Sequence, residues 1–387
     1  MKIKLYRGAH QIGGCVTGIS TSQTRILIDM GSVLPDTAGN MPADRLRIDE
    51  PYDAVIFTHN HVDHIGLMEF ISPSVPLYIG ESARELFRLM KEHEQSPLLT
   101  RVSAMHAYRD RESFFIGDLK ITPILTDHSA YDAYMLLVEA DGKKVLHTGD
   151  FRTHGLKGAE VIPALESLRG SVDVMITEGT NLSYENPVTR PELELVHAAQ
   201  VLMDRFYYTF VLTSPSDIDR LAVFHLASES KDAFFCDAYQ MKLLDAVRKG
   251  RITSPMYKFE RAQVYVEELE KSPSGFCMAV RLNKAFESIV GKYLQKDPEK
   301  CLFICSVSEG YLKKHRAAVD KITSGFRYVV KLHTSGHCSA EAIWQAARAV
   351  QPKKVIPVHT EKPEQIRLGA LQDRVLFLED GETYDIL

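Results

Sequence analysis

Phe57-Thr58-His59-Asn60-His61-Val62-Asp63-His64-Ile65-Gly66 puts three imidazoles and a carboxylate within six residues, directly after the apolar run Ala54-Val55-Ile56. That run, continued by Phe57, reads as a buried strand, so His59 opens the turn at its C-terminal end, where side chains project out of a sheet. His59 and His61 lie two apart on one side of an extended segment and can grip one cation. Asp63 and His64 follow where the chain turns and are expected to face a second position nearby. Paired cations about 3.5–4 Å apart clamp the attacking and the leaving oxygen of a displacement. A merely polar surface loop would not explain why imidazole and carboxylate alternate in a metal-ligand pattern aimed by a strand.

Further ligand-type residues sit in comparable settings along the chain. Asp29 closes the apolar run Ile26-Leu27-Ile28, His128 lies in Thr126-Asp127-His128-Ser129, and Asp150 lies in His147-Thr148-Gly149-Asp150. The His-x-His-x-Asp-His stretch and these three residues together resemble the signature of the metallo-β-lactamase superfamily. The resemblance implies that His59, His61 and His128 hold one metal and that Asp63 and His64 serve a second. It also implies that Asp150 bridges the two, and that Asp29 orients a ligand or the metal loop from behind. Asp63 and Asp150 would thereby belong to the catalytic set.

The chain has 387 residues, of which 45% are hydrophobic, enough for one large or two intermediate domains of ordinary globular composition. The first eight residues read as a strand without a signal-peptide core, and no apolar run approaches the ~18 residues of a membrane helix. Six cysteines, at 15, 236, 277, 301, 305 and 338, show no compact disulfide spacing, so a reducing cytoplasm is the expected setting. Cys301 and Cys305 bracket a strand-like run and read as core. The net charge of −5 argues against broad attraction to nucleic acid. Residues 180–332, with 22 Lys+Arg against 19 Asp+Glu, are nevertheless the less acidic part.

Residues 1–57 read as short strands in a meander, with Gly13-Gly14 making the first turn. Residues 81–92 repeat Ala83, Leu86, Phe87 and Met90 at helical spacing. Strands ending at His128, at His147 to Asp150 and at Thr177-Glu178 follow. From Arg190 onward helix and strand alternate as in a parallel α/β unit. The stretch 250–298, with the acidic run at 267–271, reads as helices and loops. Strands return at 301–305, 328–332 and 355–358, with a helix at 341–350.

Glu178 in Thr177-Glu178-Gly179-Thr180-Asn181, His337 in Ser335-Gly336-His337 and His359 in Pro357-Val358-His359 occur in the order that marks the β-CASP branch of that superfamily, the nucleic-acid-processing nucleases. In that branch a second domain is inserted between the acidic motif and the Ser-Gly-His motif. The chain is accordingly identified as an α/β protein: an αββα metallo-β-lactamase sandwich at 1–179 and 333–387, with a β-CASP domain inserted at 180–332. The acidic motif resembles that of RNase J, which has Asp at this place, while the cleavage and polyadenylation endonucleases have Glu. The resemblance implies that His337 protonates the leaving oxygen, that Glu178 orients His337, and that His359 completes the second metal's ligands. Arg220 and Ser335 would contact substrate. Ser306-Val307-Ser308-Glu309-Gly310 departs from the phosphate-binding loop of RNase J, so substrate gripping is expected to differ.

The expected function is a two-metal ribonuclease acting on single-stranded RNA, endonucleolytic or 5′-to-3′ exonucleolytic, in RNA processing or decay. The histidine-rich set favours two Zn2+ ions, and the carboxylates also suit Mn2+. His359 supports RNA, because the RNA-acting branch tends to carry His there and the DNA-repair branch Val. The rival readings are a DNA nuclease or a small ester, thioester or lactone hydrolase of the same fold, and an RNA-binding scaffold without catalysis. No membrane partner is expected, and the oligomeric state, monomer or dimer, is left open.

Overall fold

In the strand Arg25–Ile28, Ile26 and Ile28 enter one apolar cluster while Leu27 enters another, as the two-residue period of a strand requires. The same division at Val55 and Ile56 shows that this sheet is covered on both faces. The computed structural model describes residues 1–34, 46, 48–267 and 274–387. It comprises two units, Met1–Thr189 with Gly336–Leu387, and Arg190–Ser335.

The first unit holds two mixed sheets. One has seven strands in the order Thr383–Asp385, Lys2–Arg7, Val16–Ser20, Arg25–Ile28, Ala54–Ile56, Leu77–Gly80, His106–Tyr108. The other has six, in the order Lys354–Val358, Val174–Glu178, Lys143–His147, Ala133–Ala140, Leu119–Thr126, Phe114–Ile116. Ile3, Ile26 and Ile56 of one sheet share a core with Leu136, Val145, Ile176 and Ile356 of the other. The helix Glu81–His93 covers the outer face of the first sheet through Ala83 and Phe87, and the helix Ala340–Val350 covers that of the second through Ala342, Ile343 and Ala346. The result is a four-layer α/β arrangement.

Parallel strands end at the same edge, and this is what gathers the site. Lys354–Val358 pairs in parallel with Val174–Glu178, with Glu178 opposite Val358, and Val174–Glu178 pairs in parallel with Lys143–His147. Asp150, Glu178 and His359 therefore emerge together. The expected meander holds for the first three strands, but Ala54–Ile56 runs parallel to Arg25–Ile28. A parallel pair needs a crossover connection, where an antiparallel one can turn in two residues.

The second unit is one all-parallel six-stranded sheet, ordered Ala262–Val264, Ala233–Cys236, Phe276–Val280, Tyr208–Leu212, Cys301–Cys305, Val329–Lys331. Within 250–298, which reads as helices and loops, Phe276–Val280 is instead a wholly buried central strand and Ala262–Val264 an edge strand. A five-residue apolar run carries no periodicity that separates strand from helix. Of the acidic run at 267–271, all but Glu267 lies outside the described residues.

The units divide at 189/190 and 335/336. The first break thus comes later than the expected 179/180, because Thr180–Ser183 is a buried 3-10 turn whose Asn181 bonds to His337 and Cys338 in the first unit. All six cysteines are buried and unpaired with one another. Among the described residues no helix is long and apolar enough to cross a membrane.

Candidate metal centre

Asp29 sits at the base of the site, fully buried, with its backbone in the left-handed region at φ 61°. Non-glycine residues rarely adopt that conformation, and here it turns the carboxylate from the end of its strand onto the histidine loop. One oxygen accepts the Thr58 amide at 2.7 Å; the other accepts the Thr58 hydroxyl at 2.9 Å and His64 Nδ1 at 2.8 Å. Having donated to Asp29, the Thr58 hydroxyl accepts from His59 Nδ1 at 3.0 Å. Both rings thus carry a proton on Nδ1 and turn Nε2 the other way.

His59 Nε2 is buried and has no hydrogen-bond partner among the described residues. An orphaned acceptor so deep in a protein is costly unless a cation takes it. His61 Nδ1 lies 3.1 Å from His128 Nε2, and His128 donates through Nδ1 to the Gly336 carbonyl at 2.6 Å. Gly336 must be glycine for this contact, since a Cβ there would lie 2.4 Å from Ser129 Oγ. Burial lowers the affinity of His59, His61 and His128 for a proton, with His61 brought down to about 4. Neutral imidazoles are the metal-binding form.

The second set lies beside the first. Asp150 Oδ2 is 3.1 Å from His64 Nε2, 3.9 Å from His59 Nε2, and 3.8 Å from both His128 Nε2 and His359 Nε2. Asp63 Oδ2 is 3.3 Å from His359 Nε2 and 3.9 Å from His64 Nε2. His59, His61 and His128 form one cluster, and Asp63, His64, Asp150 and His359 another, the ligand atoms of each lying within 4.8 Å of one another. These clusters can hold metal ions. Burial opposes the charge on Asp150, but His359, His64 and His337 outweigh it and keep the carboxyl ionised. Burial likewise opposes a charged His64, and the carboxylates of Asp150, Asp29 and Asp63 overcome it, so positive charge is favoured at that point. A cation bound there would take the place of the proton.

Glu178, 1% exposed, meets His337 Nδ1 with both oxygens at 3.2 Å and also accepts the Phe151 amide at 2.9 Å. The His337 side chain is 22% exposed and its Nδ1 lies 3.6 Å from Asp150. Burial pulls its pKa down, but Glu178 and Asp150 prevail and push it up to about 9. His359, with φ 55°, follows the strand Lys354–Val358 directly into the second cluster.

All seven residues expected to bind metal, together with Asp29, Glu178 and His337, therefore lie around one centre. Arg220 and Ser335 belong to the second unit. Arg220 is 1% exposed, forks onto Glu192 at 2.9 and 3.1 Å, and also reaches Ser306 Oγ at 2.7 Å and His333 Nδ1 at 2.9 Å. Its guanidinium is engaged within that unit, and its helix, Ile218–Ala227, is buried along Ile218 to Phe224. Ser335 is half-buried.

Sequence reading passed over Thr58, Thr180 and Gly13. Gly13, at φ 77°, donates its amide to His359 Nε2 at 3.2 Å, and a Cβ on it would meet that of Asp63 at 2.8 Å. The Gly13-Gly14 pair was the available signal, read only as a turn.

Residues 24–207 match the family profile described as the beta-lactamase superfamily domain. A Ribonuclease J of Helicobacter pylori is 22% identical over 424 aligned residues, taking in 100% of this chain and 61% of that protein. Ribonuclease J of Corynebacterium glutamicum is 22% identical over 426 residues, covering 100% of this chain and 58% of its own length. An RNase J-like protein of Methanocaldococcus jannaschii is 28% identical over 188 residues, 46% of this chain and 42% of that protein. The chain thus spans about 61% of the length of the first of these curated relatives. In fold it is similar to the crystal structure of a protein of unknown function from Enterococcus faecalis V583, with a TM-score of 0.80, 20% identity and 99% coverage of both chains.

Proposed function

We propose that this chain, an RNase J-like β-CASP member of the metallo-β-lactamase superfamily and a distant full-length homologue of ribonuclease J, is a ribonuclease that hydrolyses RNA phosphodiester bonds at its buried histidine and aspartate clusters. In this reading His59, His61 and His128 would hold one divalent cation, Asp63, His64 and His359 would hold the second, and Asp150 would serve both. Two such ions would supply an acidified water and offset the negative charge of the phosphate.

The remaining work falls to side chains of the chain. Asp29 and Thr58 fix the protons of His64 and His59 on Nδ1, so that the opposite ring nitrogens face the cations. Glu178 fixes the Nδ1 proton of His337 in the same way. The other nitrogen of that ring, Nε2, carries a proton when the imidazole is charged and gives it to the departing ribose oxygen as the phosphorus–oxygen bond breaks.

The observation that carries this reading is the Glu178–His337 pair beside Asp150. A metal site alone would serve many hydrolases, but a carboxylate-oriented imidazole against the bridging carboxylate supplies an acid for a poor leaving group such as an alkoxide. The test sets single-stranded RNA against a thioester and a lactone, each offered to the zinc- or manganese-loaded protein. RNA hydrolysis at rates well above those for the two esters is expected, and preferential ester hydrolysis would refute the reading.

A further inference from the structure

The acidic motif does more than supply Glu178. Its next residue but one, Thr180, is 4% exposed and lies with its hydroxyl 2.7 Å from His359 Nδ1 and 3.3 Å from the His359 carbonyl. The hydroxyl has one proton to give, and the carbonyl can only accept it. Gly13 donates its amide to His359 Nε2 at 3.2 Å, which makes that nitrogen an acceptor, so Nδ1 carries the proton that the Thr180 lone pair accepts, and Nε2 faces Asp63 and Asp150.

The neighbouring side chains hold the same turn in place. Asn181, 6% exposed, donates through Nδ2 to the carbonyls of His337 and Cys338, each at 2.9 Å. Ser183 Oγ meets Thr360 Oγ1 at 3.0 Å and accepts the Glu361 amide at 2.9 Å. One buried stretch following a single strand thus ties both the His337 loop and the His359 loop. Within it the Thr180 hydroxyl is the group bonded to the ring of His359.

We infer that Thr180 is a positioning residue for the second cation: it sets the tautomer and ring orientation of His359, and its loss weakens that ion's binding. The inference rests on the reading of His359 as a ligand. It differs from the role of Glu178, which acts on His337, a residue assigned no metal.

The test titrates chelator-stripped protein with zinc against a competing chelator in wild type, Thr180→Val and Thr180→Ser. Valine matches the shape of threonine without the hydroxyl, and serine restores the hydroxyl. Loss of an outer partner of a metal-binding histidine typically costs about 10- to 100-fold in affinity. One of two zinc ions should therefore bind that much more weakly in Thr180→Val, while the other is unchanged and Thr180→Ser binds both as wild type does. The side-chain 15N shifts of His359 in zinc-loaded protein should show Nδ1–H in wild type and in Thr180→Ser. Should Thr180→Val fail to fold, Thr180→Ala takes its place, with a melting curve as the check. Two zinc ions held at wild-type affinity in the folded hydroxyl-free variant would overturn the inference. A wild type that binds two ions but cuts no RNA would overturn the ribonuclease reading and leave this one standing.

Discussion

Glu178 grips the Nδ1 proton of His337 between its two oxygens, each at 3.2 Å, while Asp150 stands 3.6 Å from the same nitrogen. The ring is thereby held by its inner nitrogen. Different roles are proposed for the two histidines on this ground: His337 Nδ1 pairs with Glu178, whereas His359 Nε2 turns to Asp63 and Asp150 within the Asp63, His64, Asp150, His359 cluster.

His337→Ala should keep both cations and slow RNA cleavage by about 10²–10⁴-fold, the usual cost of a lost general acid. Glu178→Gln should behave alike, because an amide neither charges nor aligns the imidazole. A substrate with an activated leaving group, which needs no proton, should rescue His337→Ala but not His359→Ala. Metal analysis beside the rates checks this, and an emptied metal position in His337→Ala would show the roles to be wrongly assigned.

Asp150 Oδ2 lies within 4 Å of nitrogens on His59, His64, His128, His337 and His359. Asp150→Ala should therefore lose metal from both positions and most activity with it. Two ions per chain retained at full activity in this variant would rule out the bridging assignment.

The histidine and aspartate clusters were legible because their residues are local in sequence. His59 to His64 lie in one loop and the short helix Val62–Ile65, and Asp150 and His359 follow apolar strands whose ends parallel pairing brings to one edge. Hydrogen-bond partners at long range were another matter. No spacing links Thr180 to His359 or Thr58 to Asp29; such pairs exist only once strands are in register. The surroundings of Arg220 were hidden in the same way. The role expected of Arg220 came from the resemblance alone, and only the packing of Ile218–Ala227 reveals its pairing with Glu192.

Arg220 bears on stability. Removing one member of a buried ion pair leaves the other uncompensated, at about 3–5 kcal/mol, whereas replacing both with apolar residues is often neutral. Arg220→Met should lower the denaturation midpoint of the 190–335 unit, and the double variant Arg220→Met, Glu192→Leu should recover much of it. Unchanged denaturation in the single variant would contradict the structural role given to this pair.

Acid should loosen that same unit. His225 Nε2 accepts the Arg261 amide at 3.2 Å, and His333 Nδ1 accepts from Arg220 at 2.9 Å. Burial first, then Arg261 and Arg248, lowers His225 from 6.5 to about 4; burial and then Arg220 lowers His333 to about 3. Between 6.5 and those values only the unfolded chain takes up these protons, so the stability is complete above about pH 6.5 and declines as pH falls toward 4. Each group contributes at most about 1.4 kcal/mol per pH unit. Melting curves of metal-free protein between pH 7.5 and 5 check this, and His225→Gln should flatten the slope.

The most direct measurement uses one single-stranded RNA and the DNA of the same sequence, both labelled at the 5′ end. They are incubated with chelator-stripped protein and with the same protein reloaded with zinc or manganese. The account predicts cleavage of RNA alone, only after reloading, and lost again in Asp150→Ala. Equal cleavage by stripped protein, equal cleavage of the DNA, or no cleavage by the reloaded protein would contradict it.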